Sequence, residues 1–236
     1  LQILVSDNCS TDQTPELVKN LGGDRIEYHR QSENIGANNN FNYCLNQSRG
    51  AYFLLLHDDD LIDPDFVEVC MQKAEFKTDF GIIRTGTRKI DFQGNVFNAS
   101  RNNAGGLSAL EFIRSWYASN TAFYLCSTLF NTKRLRDIGG FKSKHNLFQD
   151  VYAIVRLAAK YDRVDIEDVK ASFRRHANQT TFLVGVKPWC EDSVLLLDLI
   201  DQLFSGRQNG LRKEGEKFLS TINYSFARSI PSRFRR

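Results

Sequence analysis

The feature that most constrains this chain is the apolar run Ala51-Tyr52-Phe53-Leu54-Leu55-Leu56, which breaks without a spacer into His57-Asp58-Asp59-Asp60. A continuous apolar hexad reads as a strand buried on both faces, which a chain achieves by covering a sheet with helices on either side. Open α/β sheets place ligands at the carboxyl ends of their strands, and the three carboxylates stand at such an end. Adjacent carboxylates repel one another, so the cluster favours a cation, and hard oxygen donors suit Mg2+ or Mn2+. A solvated acidic loop and a calcium loop are the alternatives. The EF-hand form is excluded, because the sixth residue from Asp58 is Asp63 rather than Gly and no Glu stands twelfth.

The flanking sequence alternates strands with helices. Leu1 to Val5 reads as a strand that ends in the polar cluster Ser6 to Asp12. Thr14-Pro15-Glu16 then supplies a capping hydroxyl, a first-turn proline and a first-turn acid, and Gly22-Gly23 closes the helix. Ile26 to Arg30 reads as a second strand, and a helix follows Gly36 as far as about Ser48. Three strands alternating with helices predict βαβ units and a largely parallel sheet. Asp63-Pro64 predicts a helix capped by Asp63, and Gly81 to Asp91 with Asn95 to Asn98 a hairpin around Gln93-Gly94. Ser108 and Glu111 have capping-box spacing. Ala122 to Phe130 reads as a strand, Thr132 to Ile138 as a short helix stopped by Gly139-Gly140, Phe148 to Tyr161 as a longer helix, and Val164 to Phe173 as the last strand. Beyond Pro188 only helices are expected, over Glu191 to Phe204 and Arg212 to Ser229, so the domains divide as 1–186 and a helical segment, 187–236.

Composition bounds the partners. With 236 residues, 42% of them hydrophobic, the chain can bury one main core. Its net charge of +3 is too small for a nucleic-acid binder, but eight basic and only two acidic residues lie between Gly206 and Arg236, a tail that suits an anionic surface. Phe218, Leu219, Ile222, Phe226 and Ile230 fall near one helical face. That face predicts either a helix lying peripherally on an anionic membrane or one packed on the rest of the protein. The five cysteines are scattered and lack C-x-x-C spacing, so they read as reduced thiols. No apolar run approaches the roughly 20 residues of a membrane span, nor does the start have a signal-peptide layout, so a cytoplasmic location is expected.

The order of motifs resembles the family 2 glycosyltransferases of the GT-A fold, from Leu1 to about Thr181. Leu4 to Asp12 is similar to the family's strand and Asp-Asp-Gly-Ser-Thr-Asp loop. Asn34-Ile35-Gly36 and Arg49-Gly50-Ala51-Tyr52 resemble its second block, and Leu56 to Asp60 followed by Pro64 its D-x-D metal motif. Ile138-Gly139-Gly140-Phe141 with Gln149-Asp150 and Arg156 resembles the Gly-Gly-Phe and Glu-Asp acceptor block, and Arg174-Arg175-His176 with Thr180 the late Arg-x-His segment. Members also begin with an additional strand and helix of roughly 30 to 40 residues on the βαβ length scale. The resemblance therefore implies an N-terminally truncated, three-layer α/β GT-A sandwich with C-terminal helices.

The resemblance implies metal-dependent transfer of a sugar from a nucleotide-diphosphate donor to a hydroxyl, usually with inversion, in surface polysaccharide or glycoconjugate synthesis. The acceptor is a glycan or a lipid-linked sugar. Anchored on Pro64, the first Asp of D-x-D falls on His57, so the resemblance implies Asp59 as the ligand of Mn2+ or Mg2+, assisted by Asp58 or Asp60, with Asp60 and His176 counted in the expected metal site and His176 serving as a hydrogen-bond donor or a ligand. Asp150 is the expected general base, against the alternative of a helix N-cap. Asp7, Asn34, Asp58 and Arg174 are the expected nucleotide contacts, with a loop cap as the alternative for Asp7. Arg174 and His176 alternate onto one side of an extended segment. Asp12 reads as a local cap, His29 and His145 as structural. A nucleotidyltransferase and a non-catalytic, sugar-nucleotide-binding scaffold are the rival functions.

Overall fold

The computed structural model describes residues 1–176, 184–205 and 210–229, without the side chains of Gly22, Asp24 and Ser229. The chain runs β1 (Ile3–Asp7), α1 (Thr14–Gly22), β2 (Ile26–Arg30), α2 (Ala37–Gln47), β3 (Tyr52–Leu54), β4 (Leu61–Ile62), α3 (Phe66–Lys73), β5 (Ile82–Ile90) and β6 (Val96–Ser100). It continues with α4 (Ala109–Tyr117), β7 (Thr128–Asn131), α5 (Thr132–Asp137), α6 (Gln149–Lys160), β8 (Arg163–Arg174), α7 (Val186–Leu203) and α8 (Leu211–Ser229).

Two sheets form. β1 and β2 pair in parallel and stand apart from a six-stranded sheet of order β3-β7-β5-β8-β4, with β6 on β5. The expectation of a largely parallel sheet is corrected. In the larger sheet only β5 with β8 is parallel, while β3 with β7, β5 with β7, β4 with β8 and β5 with β6 are antiparallel. The sequence alternation holds only as far as β3; after it, a hairpin and a strand that returns between β3 and β5 reverse the chain direction.

Neighbouring residues of one strand feed opposite cores, as a period of two requires. Ile82 and Phe130 join the core shared with α4 to α8, whereas Ile83 and Leu129 join the smaller core under α3. Helices therefore cover both faces of the larger sheet. The last two helices belong to the first of these cores through Trp189, Leu196, Ile200 and Leu219. A Cβ on Gly215 would collide with Leu197 and the Tyr117 ring, so only glycine lets α8 approach this closely.

Several boundaries move. The apolar run at 51–56 gives only the three residues of β3, and Leu56 is 41% exposed. Asp65 rather than Asp63 precedes α3, and Asp63 instead binds Arg88 through both carboxylate oxygens. Residues 122–124 are not strand; they lead through a 3-10 turn at Leu125–Ser127 into β7. α7 starts at Val186, five residues before the expected Glu191. The Ser108–Glu111 capping box forms in both directions, and Asp12 accepts from the Thr14 N–H at 3.0 Å as a local cap.

Helix α2 joins the two sheets. Asn40 donates to the Ser6 carbonyl at 2.8 Å and accepts from the Ser6 hydroxyl at 2.6 Å. Two positions further on, Asn42 donates to the Phe141 carbonyl at 2.8 Å and accepts from the Phe141 N–H at 2.9 Å. Gly140, at φ +71°, makes room for this pair: a Cβ there would collide with the Asn42 side-chain oxygen, and the backbone angle favours glycine.

Candidate active site

The acidic turn follows β3 directly, with the Asp60 N–H donating to the His57 carbonyl at 3.2 Å. The end of β8 holds it from the other side. The Arg174 N–H donates to Asp60 Oδ1 at 2.9 Å, and its Nε to the Asp59 carbonyl at 2.7 Å. Two residues on, His176 Nε2 lies 3.0 Å from Asp59 Oδ2. Alternation along the extended chain thus turns both side chains towards the acidic turn. The Arg174 guanidinium also donates to the carbonyls of Asp91 and Phe92, tying in the β5–β6 hairpin.

The donor set fits a divalent cation. Ligand atoms of His57, Asp59 and Asp60 all lie within 4.8 Å of one another. Imidazole and carboxylate together suit a small divalent ion. His57 Nε2 is buried and has no hydrogen-bond partner among the described residues, a costly state for a ring nitrogen unless it ligates or is bonded. The ring is held by Phe41, 5.1 Å away between centroids. Burial pushes the Asp60 carboxyl above its ordinary range, and the neighbouring Asp59 charge adds to that. Sequence reasoning had set His57 aside as an interruption of the acid pattern; its place at the strand end, next to three acids, was the available signal.

Asp150 opens α6, surrounded by protein yet with a face still open to water. Burial raises its carboxyl above the usual range, the Val151 N–H at 2.8 Å offsetting part of that. Gln149 Oε1 beside it is a buried acceptor without a partner among the described residues. The approach to α6 is fixed by Asp192, fully buried on α7, which accepts from the Ser143 hydroxyl at 2.8 Å and the His145 N–H at 3.0 Å. Nothing in the sequence pattern pointed to Asp192.

The other expected residues lie at the β1–β2 end or on the turn. Asp7 is 4% exposed and accepts from the Ser10 N–H at 2.7 Å and the Tyr28 hydroxyl at 2.6 Å, with Arg30 Nε 3.5 Å away. Burial acts to raise its carboxyl, but these bonds and the Arg30 charge outweigh it and hold the group below its ordinary value. Asn34 Oδ1 accepts from Asn8 Nδ2 and the Gly36 N–H, so it shapes the loop before α2. Asp58 is exposed at the tip of the turn. The structure brings His57, Asp59, Asp60, Arg174 and His176 together, and Asp150 stands in the first turn of α6. Asp7 and Asn34 sit on the smaller sheet and its loops.

Of the expected apolar face on α8, Leu219 is 1% exposed, and Phe218, Ile222 and Phe226 pack on the main core, with Phe226 stacked on Trp189 at 4.5 Å. Ile230, Arg233, Arg235 and Arg236 lie outside the described residues. Among the described residues no helix is long and apolar enough to cross a membrane. His29 stacks on Tyr43 at 4.5 Å, and His145 bonds Glu191 at 2.8 Å.

Comparison with known proteins adds to this geometry. The model of the family described as glycosyl transferase family 2 matches residues 1–135. The chain is 30% identical over 106 residues to chondroitin synthase of Escherichia coli, a match covering 43% of this chain and 15% of that protein. It is 40% identical over 77 residues to GalNAc(5)-diNAcBac-PP-undecaprenol beta-1,3-glucosyltransferase of Campylobacter jejuni, covering 31% of this chain and 25% of that one. The matched regions thus span a quarter or less of these curated relatives. Among solved structures, S. aureus TarS 1–349 superposes with a TM-score of 0.69 at 14% identity, covering 98% of this chain and 66% of that one. Mannosyltransferase PcManGT from Pyrobaculum calidifontis, in complex with GDP-Man and Mn2+, superposes with a TM-score of 0.57 at 14% identity, covering 99% and 68%. These likenesses show the fold, the α/β GT-A architecture that the sequence resemblance implied.

Proposed function

Because the chain belongs to glycosyl transferase family 2, we propose that it transfers a sugar from a nucleotide-diphosphate donor to an acceptor hydroxyl, with inversion and with Mn2+ or Mg2+ as cofactor. The observation that carries this reading is the convergence of His57, Asp59 and Asp60 within 4.8 Å at a strand end.

Asp59, Asp60 and His57 would hold the cation, and His176 would orient Asp59 from behind, as the outer partners of metal ligands do. When bound, the cation neutralises charge that grows on the departing diphosphate. Asp150 accepts the proton of the attacking hydroxyl, and its raised affinity for a proton makes it a stronger base than a solvated aspartate. Arg174 keeps the acidic turn in place through Asp59 and Asp60 and, with Asp58, lines the diphosphate end. Asp7 and Asn34 serve the nucleoside end, where Asp7 sets the positions of Tyr28 and Arg30.

In this reading residues 1–186 carry the chemistry, and within 187–236 the helices α7 and α8 brace α6 and cover the core. Glycan or lipid-linked acceptors in surface polysaccharide or glycoconjugate synthesis are supported by the names of the two curated relatives. With the apolar face of α8 spent on the core, any peripheral membrane contact falls to the basic residues of the tail.

The test is titration with UDP, GDP, dTDP and CDP, with and without Mn2+, then transfer assays with the matching sugar donors and determination of the product anomer. Metal-dependent binding of one nucleotide, lost in Asp59→Ala, supports the assignment. Release of pyrophosphate from a nucleoside triphosphate would move it to a nucleotidyltransferase. Binding without turnover, indifferent to Asp150→Asn, would leave a scaffold.

A further inference from the structure

A cavity of about 430 Å3 lies between β5, the 119–124 segment and α8, outside the cluster just described. That volume is in the range of small-molecule sites, roughly 300 to 1,000 Å3. Its floor is Arg84, 1% exposed, whose guanidinium donates to Asp165 at 3.2 Å, to Thr121 at 3.3 Å and to the Ala122 carbonyl, and so anchors the loop that forms one wall. Arg84 Nε is buried and has no hydrogen-bond partner among the described residues. Burial lowers the guanidinium to about 10, which leaves it charged at neutral pH.

Two kinds of surface line the space. One is aromatic, with Trp116, Tyr124 and Phe218. The other is hydrogen-bonding and positive: hydroxyls and amides along β5 and the loop, together with Arg84, Lys89 and Arg101, and no carboxylate among the lining residues. Asp165 answers Arg84, and Glu167 answers Arg101 at 2.7 Å, but Lys89 makes no ion pair among the described residues. Thr87 and Lys89, two apart on β5, turn to the same side. Flat apolar rings beside donors and acceptors match a pyranose, with its C–H faces and equatorial hydroxyls. The unanswered ammonium adds a preference for a negative charge.

Tyr124 ties the cavity to the reaction centre. It lines the cavity and stacks on Phe173 at 4.6 Å, one residue before Arg174. Burial raises its phenol, and Arg174, next to Phe173, bonds both Asp59 and Asp60 of the acidic turn.

We propose that this cavity is the subsite for the acceptor glycan, and that the glycan it takes carries an anionic group, a carboxylate or a phosphodiester, against Lys89. The inference rests on the glycosyltransferase reading and names its substrate class: the reacting hydroxyl stands at Asp150 and the units behind it run past Tyr124. Neutral glycans lose the Lys89 contact.

The test uses the full chain labelled with fluorotryptophan, since its two tryptophans are Trp116 in the cavity wall and Trp189 on α7. Three probes are titrated: a tetrasaccharide of alternating hexuronate and N-acetylhexosamine, its carboxyl-reduced neutral form, and an oligo(glycerol phosphate). The expected result is a shift of the Trp116 fluorine resonance, with Trp189 unmoved, by one of the anionic probes at an affinity about tenfold above that for the neutral one. The two anionic probes distinguish a carboxylate from a phosphodiester. Lys89→Gln removes the tenfold preference, and Ile222→Trp, which fills the cavity, abolishes the shift. Equal affinity for charged and neutral probes, or no Trp116 response to any of them, overturns the proposal. Nucleotide and Mn2+ binding are measured on the same sample: their loss with the glycan response intact counts against the transferase reading, and the reverse against the acceptor subsite.

Discussion

His176 Nε2 stands 3.0 Å from Asp59 Oδ2, joining the end of the last strand to the acidic turn after β3. The carboxylate proposed to hold the metal is thereby oriented by a residue far from it in sequence. Removing the carboxylate should be far worse than removing its support. Asp59→Ala is expected to abolish Mn2+-dependent nucleotide binding, whereas His176→Ala should weaken metal affinity by about 10- to 100-fold, the usual cost of losing such a partner. Calorimetric titration with Mn2+ checks both.

Asp150 carries a carboxyl raised by burial. A base must be ionised to act, so the acid limb of kcat/KM should lie above the pH of about 4 expected for a solvated aspartate. Asp150→Asn should lower kcat by about 1,000-fold with nucleotide affinity intact. For stability the sign is reversed. The folded state holds the Asp150 proton more tightly than the unfolded chain, so the wild type loses stability as pH rises through the raised value. The asparagine variant should therefore melt higher than wild type at pH 7, with the gain gone by about pH 3.5.

The buried, unpartnered Nε2 of His57 makes a prediction about metal choice. Imidazole favours first-row transition ions over Mg2+. Mn2+ should bind with a nitrogen coupling visible by pulsed electron paramagnetic resonance, and His57→Asp should lose that coupling and shift preference towards Mg2+. An unchanged nitrogen signal in the variant would remove His57 from the ligand set.

Asp165 accepts from Arg84 at 3.2 Å, Arg163 at 2.7 Å and Asn102 at 3.0 Å, in a position where its side chain is 2% exposed. Taking away one partner of a buried pair strands the other charge. Asp165→Ala should cost about 3 to 5 kcal/mol by urea unfolding, and replacing the whole group, Arg84→Met and Arg163→Met with Asp165→Leu, should cost less than Asp165→Ala alone, which strands both arginines.

Glu191 on α7 binds Lys144 at 2.6 Å and His145 at 2.8 Å, and these bonds hold its carboxyl down to about 2. A depressed acid contributes stability that is present above its unfolded value of about 4.3 and is lost as pH falls towards 2. Glu191→Gln should melt lower than wild type at pH 6, and the difference should close between about pH 4.5 and 2.

The parts of the fold written in local pairs were legible in the sequence. Ser108 with Glu111 gave a capping box, Gln93-Gly94 a hairpin, and Gly139-Gly140 the end of α5. The parts set by distant partners were not. The apolar residues 51–56 suggested a long buried strand, yet pairing with β7 stops at Leu54, because the chain must turn there to present the acids. Asp63 looked like a cap, but Arg88 from β5 competed for it and won both oxygens. The turn at Asp58 to Asp60 was visible as charge. That Arg174 and His176 would close on it was readable only from motif order, since 115 and 117 residues separate the bonded pairs Arg174–Asp59 and His176–Asp59. Asp192 was illegible for a plainer reason: one aspartate among the several acids of α7 carries no mark of what it will bond.

The two sheets share no strand pairing among the described residues, and α2 bridges them with the amides of Asn40 and Asn42. Asn40 grips the strand of the smaller sheet, and Asn42 grips the loop that leads to Asp150. The link between the smaller sheet and that loop thus runs through two side-chain amides and not through a strand ladder, so Asn40→Ala or Asn42→Ala would loosen it while leaving every strand pairing in place.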